Sequence, residues 1–176
     1  MDRVLPRVHA AAVLATLGRA EDWPLWRAAR VAALSDSPDS FPGTAAEWAR
    51  GGEREWRERL LDPAALKIVA VLDGKPVGLV RGALEDGATW LHSLWVSPHV
   101  RGHGLGDRLV AAVENWAQPR TALVRLSVVT ANDAAVALYR RHGFIESDLP
   151  ADEVCEMVME KALDRTHPIR PTGAPR

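Results

Sequence analysis

One cysteine, Cys155, is all the thiol chemistry this 176-residue chain carries. That excludes an internal disulfide, and with no cluster of cysteine and histidine at metal-ligand spacing the sequence offers no zinc site. An excess of one charge is lacking too: 22 basic and 23 acidic residues, interspersed, leave a formal net charge of -1. No overall field would draw such a chain to nucleic acid or to an anionic membrane, so any anion it holds must be held locally. Long hydrophobic runs are absent, and nothing approaches the roughly 20 apolar residues that span a bilayer. The opening segment, with Arg3 and Arg7 ahead of "VHAAAVLATL", superficially copies a secretory leader, but His9 interrupts it and no convincing small-x-small cleavage site follows. The expectation is a cytoplasmic protein without a nucleic-acid or membrane partner.

What is present is the composition of a globular domain, 47% apolar and 26% charged. At this length roughly 70% of the unfolded chain's surface can be buried. The chain therefore reads as one domain over 1–163, with 1–12 as an extension, and the Pro-, Gly- and charge-rich stretch 164–176 reads as a disordered tail.

The hydrophobic pattern places a short strand at "VLATLG" and a helix at "AEDWPLWRAARVAALSD", where Trp23, Trp26, Arg30 and Leu34 recur at helical spacing. "SDSPDSFPGT" is a loop, and "AAEWARGGEREWRERLL" a helix pair broken at Gly51 and Gly52. From Lys67 the period changes to that of strands: "KIVAVL", a turn at "DGK", "PVGLVRGAL", a second turn at Asp86-Gly87, and "ATWLHSLWV". After a glycine-rich loop, Leu105, Leu109, Val113 and Trp116 share one face of a helix that Pro119 stops. A further strand, a helix capped by Asn132 or Asp133 and ended by Gly143, and two short strands complete the pattern. The strand, helix, strand order around the glycine loop implies one right-handed crossover between parallel strands in an otherwise antiparallel series, hence an α/β fold with a mixed sheet.

The glycine loop "RGHGLG" at 101–106 is the first candidate site. A dinucleotide fingerprint would need a glycine at the sixth position, where Asp107 or Leu109 stands, and a phosphate loop of the Gly-Lys-Ser/Thr type is absent. What remains is a compact loop at a helix N-terminus, where unpaired main-chain N–H groups and the positive end of the helix dipole suit a phosphate or pyrophosphate. Arg101 adds a charge able to pair bidentately.

"VSPHVRGHGLGDRLV" resembles the acyl-CoA-binding motif of the GNAT superfamily of N-acetyltransferases, Arg/Gln-x-x-Gly-x-Gly/Ala, matched by Arg101, Gly104 and Gly106. "NDAAVALYRRHGF", Asn132 to Phe144, resembles the second signature of that superfamily, and the two stand in the right order with one strand between them. The resemblance covers Lys67 to Lys161 well, Ala15 to Leu61 less well, and neither terminus. It implies the GNAT fold: a mixed, mostly antiparallel sheet of six to seven strands with a parallel central pair and about four helices. It implies that the backbone of Arg101, Gly102, His103, Gly104, Leu105 and Gly106 holds the CoA pyrophosphate. Main-chain groups of Leu94, Trp95 and Val96 would pair with the pantetheine arm, Asn132 would hydrogen-bond that arm, and Tyr139 would act as general acid near the sulfur. Acetyl-CoA is then the cosubstrate, no metal is required, and the acceptor is the amine of a small molecule or a peptide; a homodimer is left open.

Acetyl transfer to an amine needs a neutral amine, although an alkylamine titrates near roughly 10. It also needs a donor for the developing oxyanion and a proton for the leaving thiolate. A phenol titrates near about 10 and a thiol near about 8.5, so a tyrosine must be tuned to serve as the acid. Many members of the superfamily carry a glutamate where this chain has Trp90. His92 matches one of the strand histidines of arylalkylamine acetyltransferases, and an imidazole titrating near about 6.5 is suited to be the base. Glu47 competes with it. Strict alternation puts Trp90, His92, Leu94 and Val96 on one face and Leu91, Ser93 and Trp95 on the other. Of the seven tryptophans, Trp26 and Trp116 read as core, and Trp48, Trp56 and Trp90 as candidates for an apolar acceptor pocket. The rival reading is a noncatalytic acyl-CoA-binding protein that keeps the loop and has lost the base.

Overall fold

Two Asp-Gly turns set the register of the sheet. Asp73 and Gly74 (φ 49° and 74°) and Asp86 and Gly87 (φ 48° and 76°) all take positive φ, the geometry whose twist matches that of flanking antiparallel strands. They join β2 (Ala65–Leu72) to β3 (Lys75–Glu85) and β3 to β4 (Ala88–Val96), placing Leu72 opposite Lys75 and Glu85 opposite Ala88.

The computed structural model describes residues 11–38, 45–151 and 157–164. The extension up to residue 10, residues 39–44 of the "SDSPDSFPGT" loop, residues 152–156 with Cys155, and the tail from 165 lie outside the described residues. The remaining elements are β1 (Val13–Leu17), α1 (Trp23–Asp36), α2 (Ala45–Ala49), α3 (Glu53–Leu60), α4 (Leu105–Ala117), β5 (Leu123–Val128), α5 (Asp133–Arg141), β6 (Ile145–Glu146) and β7 (Met157–Ala162). The strands form a seven-stranded sheet in the order β1-β2-β3-β4-β5-β7-β6. Only β4 and β5 run parallel, with α4 as their crossover. Among the described residues no helix is long and apolar enough to cross a membrane.

Each face of the sheet has its own core. On one side Leu109 and Val113 of α4 and Val136 of α5 pack on Ile68, Val80, Leu91, Leu126 and Met159. On the other, Trp26, Ala29 and Ala33 of α1 and Trp56 and Leu60 of α3 pack on Val69, Leu79 and Trp95. Side chains alternate along each strand, so one strand feeds both cores.

A bulge in β4 breaks that alternation at one point. Leu79 faces Trp95 and Arg81 faces His92, so a two-residue step on β3 spans a three-residue step on β4. Ser93 takes up the extra residue at φ 59°, a left-handed conformation costly for a residue with a Cβ, and its hydroxyl accepts a 2.6 Å hydrogen bond from Arg30. The bulge overturns the expected grouping of side chains. His92 shares its face with Trp95, because their partners Arg81 and Leu79 share one. Leu94 and Val96 pack instead against the α4 and α5 core.

Candidate active site

β4 and β5 pair only over Thr89, Trp90 and Leu91, opposite Val124, Arg125 and Leu126. Beyond Leu91 the pairing ends. The strands part just where the bulge turns β4, and a cavity of about 410 Å³ opens at the split, bounded by the end of β4, the start of α4, α5 from its cap Asn132 to Arg141, and Ser37 after α1. Leu94, Trp95 and Val96 line it, as do Arg101, Gly102, Gly104, Leu105, Gly106 and Asn132. Two sequence motifs, one at the start of α4 and one at the start of α5, thus face one cavity because the crossover brings the chain back to the same end of the sheet.

At the start of α4 the backbone turns inward. Gly104, at φ 76°, is the residue before the helix and has nothing within 4 Å of where a Cβ would be, so its side of the loop is open. The first helical hydrogen bond runs from Arg108 N–H to Gly104 O at 3.1 Å. The main-chain N–H groups of 102–107 donate to no acceptor among the described residues. Such a set of unengaged donors at the positive end of a helix dipole fits an anion. Gly106 serves another purpose: a Cβ there would lie 3.1 Å from Leu138 Cδ2, so this glycine lets α5 approach α4.

Arg101 is occupied within the protein. Its Nε donates to Val96 O at 2.8 Å and a terminal nitrogen to Asp36 Oδ2 at 2.7 Å, and its N–H reaches Pro98 O at 3.4 Å. His103 folds back, Nδ1 lying 2.9 Å from Arg101 O. Asn132 caps α5: its Oδ1 accepts the Ala135 N–H at 3.2 Å, which leaves the amide NH₂ as the end able to reach a ligand.

Tyr139 and His92 stand apart from this wall. Tyr139 is buried in the α4 and α5 core, edge-on to Phe144 with ring centroids 5.9 Å apart. His92 lies on the opposite face, its ring stacked 6.2 Å from Trp90 and its Nε2 3.2 Å from Glu85 Oε1. Burial depresses the pKa of His92, Glu85 opposes that shift, and Arg81 and Arg30 reinforce it, so the net direction is down. Close by are Lys67 and Arg30, both buried. Burial and the neighbouring Arg81 lower the pKa of Arg30 to about 10, and burial outweighs Asp62 in lowering that of Lys67.

Trp56 is fully buried and belongs to the α1 and α3 core rather than to a pocket lining. Trp48 meets it at a tilt of 49° with ring centroids 5.5 Å apart, and the Arg30 and Arg59 guanidinium groups lie 4.7 and 4.6 Å from the Trp48 ring centre. Trp116 is half-buried under Arg120. Glu47 is exposed on α2.

Sequence reasoning missed the ionic group at the cavity rim. Asp107, in the first turn of α4, accepts from Arg141 at 3.1 and 3.3 Å and lies 3.2 Å from His142 Nε2. Burial works to raise the Asp107 pKa, but the Arg141 hydrogen bond and charge and then His142 outweigh it and hold the carboxyl low. Asp107 and Arg141 both line the cavity. The first-turn acid was the only local signal for this pair, since its partner lies 34 residues away. Among the described residues no group of three His, Cys, Asp or Glu side chains could hold a metal ion.

Comparison with known proteins matches residues 30–144 to the model of the acetyltransferase (GNAT) family. The N-alpha-acetyltransferase RimI of Mycobacterium tuberculosis is 44% identical over 54 residues, 31% of this chain and 33% of that protein. The mycothiol acetyltransferase of Paenarthrobacter aurescens is 27% identical over 135 residues, 73% of this chain and 41% of that protein. The chain thus spans between a third and about two fifths of the length of these curated relatives, 33% and 41%. Among solved structures, the PaiA N-acetyltransferase from Thermoplasma acidophilum in complex with coenzyme A shares the fold, with a TM-score of 0.64, 19% identity and coverage of 86% of this chain and 99% of that one.

Proposed function

Since the chain belongs to the acetyltransferase (GNAT) family, we propose that it transfers an acetyl group from acetyl-CoA to a primary amine, by direct attack in a ternary complex formed within one domain over 1–163. The observation that carries this reading is the row of N–H groups over 102–107, beside the cavity, that no described residue engages. These donors would hold the diphosphate of acetyl-CoA. The end of β4, unpaired on its β5 side, would hold the pantetheine arm, and the Asn132 NH₂ would donate to it.

The reaction also needs proton management. His92, kept neutral by burial, is assigned the removal of the proton from the acceptor ammonium, directly or through water. A main-chain N–H of Leu94 to Val96 would meet the negative charge that develops on the acetyl oxygen. Tyr139 is assigned the proton that the departing thiolate takes up. The acceptor is the amine of a small molecule or a peptide, in keeping with relatives named for N-alpha-acetyl transfer and for mycothiol.

Thiol release from acetyl-CoA, measured against a panel of polyamines, amino acids, arylalkylamines and peptide N-termini, tests the reading. At least one acceptor should raise release well above hydrolysis. Tight acetyl-CoA binding with no release for any acceptor would favour the noncatalytic reading instead.

A further inference from the structure

Asp36, the last residue of α1, is the meeting point of three elements. Its Oδ2 accepts the Trp95 Nε1–H of β4 at 2.9 Å, a terminal N–H of Arg101 from the glycine loop at 2.7 Å, and the hydroxyl of Ser37 at 2.9 Å. Arg101 in turn donates to Val96 O at 2.8 Å, so the loop is tied both to α1 and to the end of β4.

Local preference does not explain this residue. A carboxylate at a helix C-terminus faces the negative end of the dipole and disfavours the helix. Burial also works to raise its pKa, yet the hydrogen bonds from Trp95 and Ser37 and the charge of Arg101 outweigh burial and hold it below the usual carboxylate range. The acid is therefore stabilised by its tertiary partners. Those partners are cavity walls: Ser37, Trp95 and Arg101 all line the space.

We infer that Asp36 is a positioning residue that, by gripping Arg101 and Trp95 together, holds the glycine loop and the end of β4 at the spacing coenzyme A requires. This rests on the reading of the cavity as an acetyl-CoA site. It reassigns Arg101 as well. With its charge met by Asp36 and its Nε by Val96 O, Arg101 is a strut more than a phosphate ligand, and the diphosphate relies on main-chain donors. It also makes α1, whose Arg30 contacts β4 at Ser93, mechanically continuous with the coenzyme loop.

The opposite view makes Asp36 a competitor that withholds Arg101 from the phosphates. Calorimetric titration of coenzyme A and of pantetheine, which lacks the diphosphate, into the wild-type chain and Asp36→Asn separates the two. The expected result is coenzyme A affinity lower by about tenfold, the size of effect usual for losing a charge-assisted hydrogen bond, with a smaller loss for pantetheine. Equal or tighter coenzyme A binding by Asp36→Asn would overturn the inference, as would equal losses for both ligands. Arg101→Lys keeps the charge but cannot span Asp36 and Val96 O together. It should lose affinity comparably, and full retention would show that charge alone matters. Adding Asp36→Asn to Arg101→Ala should cost nothing further, whereas additive losses would count against the strut. A wild-type chain that binds no coenzyme A would overturn the reading and the inference together; failure of the variants alone overturns only the inference.

Discussion

His92 Nε2 lies 3.2 Å from Glu85 Oε1, joining residues on either side of the Asp86-Gly87 turn. Glu85 in turn lies 3.6 Å from Arg81, which opposes His92 across the sheet. The imidazole therefore responds to burial, which lowers its pKa, to Glu85, which raises it, and to Arg81 and Arg30, which lower it. With the net shift downward, a base at His92 stays neutral to lower pH than a free histidine, which titrates near about 6.5. The acidic limb of the kcat/KM profile should accordingly fall below that value. Glu85→Gln should move the limb further toward acid, and Arg81→Gln should move it back toward neutrality. A limb that neither substitution moves would assign the base elsewhere.

Asn132 caps α5 and, in the proposed reading, also donates to coenzyme A, two tasks that a substitution can separate. Its Oδ1 caps α5, and aspartate caps a helix as well as asparagine does. Asn132→Asp should leave the melting temperature nearly unchanged while weakening coenzyme A binding, because the NH₂ donor is gone. Asn132→Ala should weaken binding and also destabilise the fold by about 1 kcal/mol. Thermal melts paired with binding titrations distinguish the two, and undiminished affinity in both variants would remove Asn132 from the site.

The glycines of the loop should fail in different ways. Gly104→Val puts a branched residue at φ 76° with open space around it. The strain is of order 1–2 kcal/mol, and coenzyme A binding should be abolished while the chain still folds. Gly106→Val drives a side chain into Leu138, whose Cδ2 stands 3.1 Å from the new Cβ. This should cost roughly 1–3 kcal/mol of stability, partly restored by Leu138→Ala. Restoration of the Gly104 variant by the same second substitution would contradict this division.

Tyr139→Phe removes one oxygen from a ring packed edge-on against Phe144 in the core. If the phenol supplies the proton to the thiolate, kcat should fall at least tenfold while coenzyme A affinity holds, the pattern of an interaction made only in the transition state. Equal loss of kcat and affinity would mark the residue as packing alone.

Local residue patterns were enough for much of this molecule. The two Asp-Gly turns, the apolar, β-branched runs of β2 and β3, the break at Gly51-Gly52 and the glycines before α4 are dictated within a few residues by allowed φ angles and by local strand and helix preference. The crossover needed only a rule of handedness, and so the mixed sheet was readable too. Other features depended on contacts between distant segments. Strict alternation misplaced Leu94, Val96 and Trp95, because the bulge at Ser93 arises from the register of β4 against β3. The pairing of Arg101 with Asp36 joins residues 65 apart, and that of Asp107 with Arg141 residues 34 apart. Nothing in a local window fixes which carboxylate meets which guanidinium. That choice falls to the packing of helices on a finished sheet, which decides which element, and so which charged side chain, stands beside each of these partly exposed groups.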